Sequence, residues 1–186
     1  MMNRMTLMKA HVVLAAFILP AALMFMITGA LYSWDIKGNY SNDVYEIPLS
    51  KPIQSDVAEL TNLAQLELDK LSATYPEGKP TLKVYGSHFL LEWSGSSKDV
   101  ILEPTDNAGI AKLTVKHTTW YRNLVQLHKA KGGTAFKVYA VVFALAILAL
   151  LISGFIMAWQ TPELKRITLF TTLAGLGSFV IFVFIS

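Results

Sequence analysis

The chain has 186 residues, of which 53% are hydrophobic and 16% are charged, and its formal net charge is +3. Because soluble domains carry about 25% charged residues, this chain is poor in charge. It contains no cysteine, which excludes disulfide bonds, iron–sulfur clusters and zinc sites built on thiolates.

Three long apolar runs account for the low charge. Residues 10–34, 138–162 and 167–186 contain no Asp, Glu, Lys or Arg. Each run has at least the roughly 20 residues that a helix needs to cross about 30 Å of hydrocarbon. We therefore predict three transmembrane helices at residues 10–34, 138–159 and 167–186. Residues 1–9 and 160–166 are predicted to be a cytoplasmic tail and a cytoplasmic loop.

The first run has an alternative interpretation as a cleaved secretory signal. Basic residues precede it, and Thr28-Gly29-Ala30 resembles a cleavage site. A signal sequence, however, has an apolar core of only about 7–15 residues, and this run is longer. We therefore expect the first helix to be retained.

The orientation of the helices is predicted from basic residues, which favour the cytoplasmic side. Two precede the first run and two follow the second, at Arg4, Lys9, Lys165 and Arg166. Four others lie at the opposite end of the second run, at Arg122, Lys129, Lys131 and Lys137. Since a long domain crosses a membrane largely regardless of its charge, we place residues 1–9 and 160–166 in the cytoplasm.

Residues 35–137 are predicted to form a soluble domain between the first two spans. They contain 12 of the 16 basic and 12 of the 13 acidic side chains, so the segment has no net formal charge. Such a segment offers no basic stripe for nucleic acid. We therefore expect no nucleic-acid partner.

Hydrophobic periodicity predicts the elements of this domain. An extended segment with turn residues covers 35–52, and apolar residues at helical spacing predict an amphipathic helix at 53–71. Four strands are predicted at 81–85, 88–93, 100–103 and 110–115, and a second helix at 118–129. The simplest fold is a helix packed on a small antiparallel sheet.

Two of the apolar runs end in nearly the same phrase. The first ends with Thr28-Gly29 and the second with Ser153-Gly154, each followed by Trp after a further four residues. His11 stands at the start of the first run, and His128 precedes the second. Since successive spans are antiparallel, the histidine end of each run lies beside the hydroxyl–glycine end of the other. We predict two related sites, one near each membrane face.

Paired histidines and glycines in membrane helices are typical of a haem b site. Its iron takes two imidazole nitrogens at about 2 Å, and glycine provides a low helix surface. His11 and Gly29 are 18 residues apart, which is about 27 Å of helix. Since His128 is expected beside Gly29, His11 and His128 cannot bind the same iron. A second copy in a two-fold dimer would supply the missing ligand of each site.

Other interpretations of these residues remain open. His117 lies 11 residues before His128 and would share its helical face, so it is another candidate ligand. His11 follows Lys9 closely and could be an interfacial residue, and His128 stands among lysines. The hydroxyl–glycine pairs also suit helix packing alone.

The order of these features resembles a known family. A helix followed by a sheet that ends in Val100-Ile101-Leu102-Glu103-Pro104, with Gly109 after it, resembles a PepSY domain. Leu127-His128, a glycine linker and an apolar run closing on Ser153-Gly154 and Trp159 resemble the PepSY-associated transmembrane helix family. The first span, from His11 to Thr28-Gly29-Ala30, is similar to that of the family. The resemblance covers nearly the whole chain.

The resemblance implies a bacterial inner-membrane protein with its PepSY part in the periplasm. Several members of the family are linked to iron acquisition, as haem-containing reductases of ferric siderophores or as small proteins that promote ferric iron reduction. Larger members have four or more spans, whereas this sequence predicts three.

Three functions are therefore expected as alternatives. The first is electron transfer from quinol or a cytoplasmic donor to Fe(III) or a ferric chelate, through haem b in a homodimer, which supplies Fe(II) to a transporter. The second is a membrane-anchored PepSY module that binds a peptide or protein, with Tyr85 and Trp93 on its sheet as binding residues. The third is an accessory subunit of a ferrous iron transporter. No hydrolase motif is present.

Overall fold

A computed structural model of the protein describes residues 4–86 and 88–185. Residues 1–3 of the predicted tail and residue 186 of the predicted third span lie outside the described residues. The elements in chain order are α1 (Arg4–Ser33), β1 (Tyr40–Pro48), α2 (Val57–Lys70), β2 (Pro80–Tyr85), β3 (His88–Ser94), β4 (Lys98–Pro104), β5 (Ile110–Thr118), α3 (Trp120–His128), α4 (Thr134–Trp159) and α5 (Pro162–Ile185). Two compact units are present, Leu23–Tyr139 and the chain segments on either side of it.

Three apolar helices are present as predicted, but they begin at Arg4, Thr134 and Pro162, four to six residues before the predicted starts, so that α5 includes most of the predicted 160–166 loop. In the described chain, α1, α4 and α5 have 30, 26 and 24 residues and are apolar enough to span a bilayer. No described residue of α5 is buried. Such exposure of apolar side chains is expected where lipid covers the helix.

The domain between α1 and α4 contains a five-stranded antiparallel sheet, with the strand order β1-β5-β4-β3-β2. The four predicted strands are present and pair in sequence order. The fifth strand, β1, comes from the segment that was predicted only as extended. It pairs with β5 from Tyr40↔Thr118 to Pro48↔Ile110. The predicted helix on an antiparallel sheet is thus confirmed, with one additional strand.

Helix α2 packs on the sheet through one apolar stripe. Leu60, Ala64 and Leu68 recur every four residues, and none is exposed. They meet the sheet residues Leu91, Leu102 and Leu113, which are equally buried. The apolar area removed from water by this contact stabilises the domain.

Trp93 belongs to this core. Its side chain is only 5% exposed, and its Nε1–H donates a hydrogen bond of 2.8 Å to the carbonyl of Gly78. Trp93, expected together with Tyr85 to be a binding residue on the sheet, is therefore a residue of the core. Tyr85, the other residue named with it, is 60% exposed.

Helix α3 is attached to the sheet by a buried polar cluster. Gln126, which is fully buried, donates from Nε2 to Asp99 Oδ2 at 3.1 Å. The Tyr40 hydroxyl donates to the same oxygen at 2.7 Å, and Arg122 Nη2 donates to the Tyr40 hydroxyl at 2.8 Å. These bonds join α3 to β1 and β4. Since a buried polar group without a partner costs free energy, the cluster holds α3 in one position.

The segment between α1 and β1 is also held against α3. Gly38 has φ +73°, and a Cβ there would lie 2.9 Å from Tyr121 Cδ1. Close approach and the left-handed backbone both favour glycine. The Tyr121 hydroxyl donates to the carbonyl of Ile36 at 3.0 Å, and Arg122 Nη1 donates to that of Lys37 at 3.1 Å.

The polar cluster makes folding stability depend on pH. Burial and the hydrogen bond to Asp99 raise the pKa of Tyr40 to about 12. In the unfolded chain the pKa of tyrosine is about 10. The contribution of Tyr40 to stability is therefore complete below pH 10 and is lost as the pH rises toward 12, because the unfolded state releases its proton first.

We expect the free energy of unfolding to fall more steeply between about pH 10 and 12 in the wild-type protein than in Tyr40→Phe, which has no hydroxyl to ionise. Denaturant unfolding followed by tryptophan fluorescence at several pH values measures both slopes. Equal slopes in the two proteins would contradict the burial of a protonated Tyr40 hydroxyl.

Candidate functional site

The first site joins His11 of α1 to Ser153 of α4. The two atoms His11 Nδ1 and Ser153 Oγ are 2.8 Å apart. Ser153 Oγ also lies 3.1 Å from the carbonyl oxygen of Leu150, to which it donates. Since a hydroxyl has only one proton, the bond between the two side chains is donated by the imidazole. The proton of a neutral His11 ring is therefore on Nδ1, and the lone pair is on Nε2.

The second site repeats this arrangement with His128 of α3 and Thr28 of α1. His128 Nδ1 is 2.8 Å from Thr28 Oγ1, and Thr28 Oγ1 donates to the carbonyl of Met24 at 2.6 Å. Thr28 is only 1% exposed. The hydroxyl proton is again used within its own helix, so the imidazole donates from Nδ1. In a neutral His128 ring this arrangement places the lone pair on Nε2.

A glycine follows the hydroxyl residue in both sites and admits the imidazole. A Cβ at Gly29 would lie 3.1 Å from His128 Cε1, and one at Gly154 would lie 3.6 Å from His11 Cε1. The distance at Gly29 is shorter than an ordinary van der Waals contact, whereas the distance at Gly154 is an ordinary one. The predicted juxtaposition of His11 with Gly154 and of His128 with Gly29 is confirmed. The two glycine surfaces, expected to face a porphyrin, are contacted here by imidazole carbons.

The surroundings of the two histidines differ. His11 lines an open cavity of about 390 Å³ whose other residues, apart from Ser153, are alanine, leucine and isoleucine. His128 lines a cavity of about 430 Å³ together with Tyr32, Ser33 and Lys129. As whole residues, His128 is exposed and His11 is half-buried. One imidazole thus lies among aliphatic side chains, whereas the other lies beside hydroxyl groups and an ammonium group.

His128 is positioned by the soluble domain. It is the last residue of α3, and Gln126, two positions earlier, is bonded to the buried carboxylate of Asp99. The ring centroid of Phe25 lies 5.1 Å from that of His128. Sequence reasoning missed Gln126 and Asp99, because no periodicity or motif marks a buried amide and carboxylate that are far apart in the chain.

His117 lies elsewhere. It belongs to β5, and its Nε2 is 3.2 Å from Asp43 Oδ2 on the neighbouring strand β1. Helix α3 begins only at Trp120, after the cap provided by Thr119. The predicted helical face shared by His117 and His128 is therefore wrong, because β1 pairs with β5 as far as Thr118 and keeps this segment extended.

The donor set defines what the sites can hold. No group of three or more His, Cys, Asp or Glu side chains suited to a metal ion is present in residues 4–86 and 88–185. Each site instead offers a single imidazole nitrogen. An Nδ1–H bond to a fixed acceptor is what orients most metal-bound histidines and raises their basicity. Each site therefore offers one imidazole nitrogen per chain, and any further ligand of a bound metal would have to come from elsewhere.

Comparison with known proteins supports one assignment. The family model of the PepSY-associated TM region matches residues 2–161, which include both histidines, both hydroxyl–glycine pairs and the whole sheet. No curated protein matches the sequence significantly, and no solved structure does so. The chain is a membrane protein that belongs to the family of the PepSY-associated TM region.

Proposed function

We propose that this protein transfers electrons across the bacterial inner membrane and promotes the reduction of Fe(III) to Fe(II) for iron uptake. The observation that carries the proposal is the hydrogen bond from Nδ1 of each histidine to a hydroxyl group. It leaves Nε2 of both rings with a lone pair for iron. An ionisable residue in a membrane helix is costly to keep, which favours a functional interpretation of His11.

His11 and His128 would each hold one haem b through Nε2. Bound haem supplies one-electron transfer, which suits a substrate that gains a single electron. Because each chain offers one imidazole per site and haem b takes two, we propose a homodimer in which the same histidine of the second copy completes each site. Ser153 and Thr28 keep the rings in the required tautomer.

The polar site is the better candidate for the ferric substrate. His128 is exposed, and Lys129, next to it, places a positive charge beside the ring of Tyr32 at 5.5 Å. This charge favours the approach of an anionic ferric chelate. With the domain in the periplasm, His11 would face the cytoplasmic side and receive electrons from quinol or a cytoplasmic donor.

Each Fe(III) gains one electron and becomes Fe(II), so one quinol reduces two ferric ions and releases two protons as it becomes quinone. The Fe(II) would then pass to a ferrous iron transporter. A hard ferric ion prefers oxygen ligands, so its reduction also weakens its hold on an oxygen-rich chelate.

We expect detergent-purified protein from haem-replete cells to show the oxidised and reduced spectra of a b-type haem. His11→Ala and His128→Ala should each lose about half of the bound haem, because each removes the ligand of one site. Haem per protein is measured after extraction. His88→Ala, which changes an exposed histidine of β3, is the control and should keep the wild-type content. Colourless wild-type protein would overturn the proposal and favour an anchored binding module.

The hydrogen-bond acceptors provide a second test. Thr28→Val and Ser153→Ala leave both histidines in place but remove the group that binds Nδ1, and we expect each to weaken haem affinity roughly 10- to 100-fold at its own site. Haem titration of the haem-free protein measures this loss. Thr171→Val is the matched control, since among the described residues Thr171 donates to carbonyls of α5 alone. Unchanged affinity in the first two variants would show that the acceptors have no part in ligation.

The two glycines should respond differently to alanine. A Cβ at Gly29 meets His128 at 3.1 Å and must displace the ring, whereas a Cβ at Gly154 meets His11 at an ordinary 3.6 Å. We expect Gly29→Ala to alter the spectrum of the His128 site and to slow ferric reduction, and Gly154→Ala to stay close to wild type. Equal effects of the two substitutions would contradict this geometry.

A further inference from the structure

A second polar cavity lies within the Leu23–Tyr139 unit and contains none of the histidines. Its volume is about 330 Å³, and four lysines from β2, its preceding turn, the α3–α4 loop and α4 line it around one carboxylate. We call it the lysine pocket and define it by Lys79, Lys83, Lys131, Lys137 and Glu92.

The lysine pocket is strongly positive. Four ammonium groups face one carboxylate, so its net charge is +3. Burial opposes ionisation of Glu92, but hydrogen bonds from Lys83 and Ser94 and the charges of Lys83 and Lys131 outweigh it, and the pKa of Glu92 is lowered. Asp99 Oδ1 is buried behind the pocket, 3.7 Å from Lys131 Nζ. If its charge is included, the net charge of the pocket is +2. The pocket thus remains cationic at neutral pH.

Two of the lysines are held in place. Lys83 forms an ion pair with Glu92, and Lys131 Nζ donates to Ser94 Oγ at 2.9 Å. Glu92 and Ser94 are both residues of β3, so the sheet fixes these two ammonium groups. Positive charges that are fixed before binding lower the entropy cost of holding an anion.

The other two lysines are available to a ligand. Lys79 and Lys137 are exposed, and neither forms an ion pair with a carboxylate of the described residues. Lysine binds phosphate as a compact charge with three donors. Like charges gathered without an equal number of carboxylates repel one another, and an anion between them removes this repulsion.

The position of Lys137 indicates where the anion comes from. Lys137 is in the first turn of α4, which begins at Thr134, and it is the last charged residue before the apolar run that starts at Val138. A charged residue at the end of a membrane span lies at the level of the lipid headgroups. We infer that the lysine pocket binds a phosphate group, with the headgroup of an anionic phospholipid as the favoured source.

The test uses the full-length protein in an uncharged detergent and isothermal titration calorimetry. The ligands are dihexanoyl phosphatidylglycerol, inorganic phosphate and, as the matched zwitterion, dihexanoyl phosphatidylcholine. The variant is Lys79→Gln/Lys137→Gln, which changes exposed residues outside both histidine sites. The control is Lys51→Gln/Lys112→Gln, which removes the same charge from the same domain but outside the pocket.

We expect the wild-type protein and the control to bind the anionic lipid with the same affinity. The pocket variant should bind it at least roughly tenfold more weakly, because each lysine near the headgroup contributes several-fold to the affinity. Binding of the lipid without binding of free phosphate supports a headgroup site. Binding of both, weakened in the pocket variant, supports a phosphate site open to soluble ligands. Absence of binding, equal binding of the zwitterion, or equal affinity in all three proteins would overturn the inference.

Discussion

The candidate sites depend on one interaction, a hydrogen bond from an imidazole to a hydroxyl that has already given its proton to its own helix. A serine or threonine in a helix readily donates to the carbonyl one turn earlier, and Ser153 and Thr28 both do so. That choice makes each hydroxyl an acceptor for Nδ1–H and directs the lone pair of the ring to Nε2. The same hydroxyl thus donates to its own helix and contacts the histidine of another helix.

The two sites use this interaction in different surroundings. His11 is half-buried among aliphatic side chains, whereas His128 ends a short helix that the soluble domain holds through Gln126 and Asp99. A buried carboxylate of the sheet thus helps to hold the helix that ends at His128, through its hydrogen bond with Gln126. The lysine pocket lies on the same domain.

Sequence reasoning succeeded where the signal is local or periodic. Three apolar runs predicted three membrane helices, and the repeated hydroxyl–glycine phrase predicted which residues meet the histidines. It failed where the partner is distant. His117 was expected to share a helical face with His128, although pairing with β1 keeps it in a strand. Trp93 was expected to be a binding residue, although its side chain is buried in the core. Strand pairing and burial depend on residues far apart in the chain, which local periodicity does not report.

The sequence by itself determined the class of the protein, its spans and the two kinds of residue that meet, because hydrophobic length and antiparallel succession leave little choice. Only the tertiary structure decided which group donates each hydrogen bond between the paired residues and which lysines lie together. Whether a hydroxyl donates to an imidazole or accepts from it depends on the second partner of that hydroxyl, and whether Lys83, Lys131 and Lys137 converge depends on strand pairing and on the turn into α4. Both depend on which residues are neighbours in the folded protein. Packing sets these neighbours, and local sequence patterns do not reveal them.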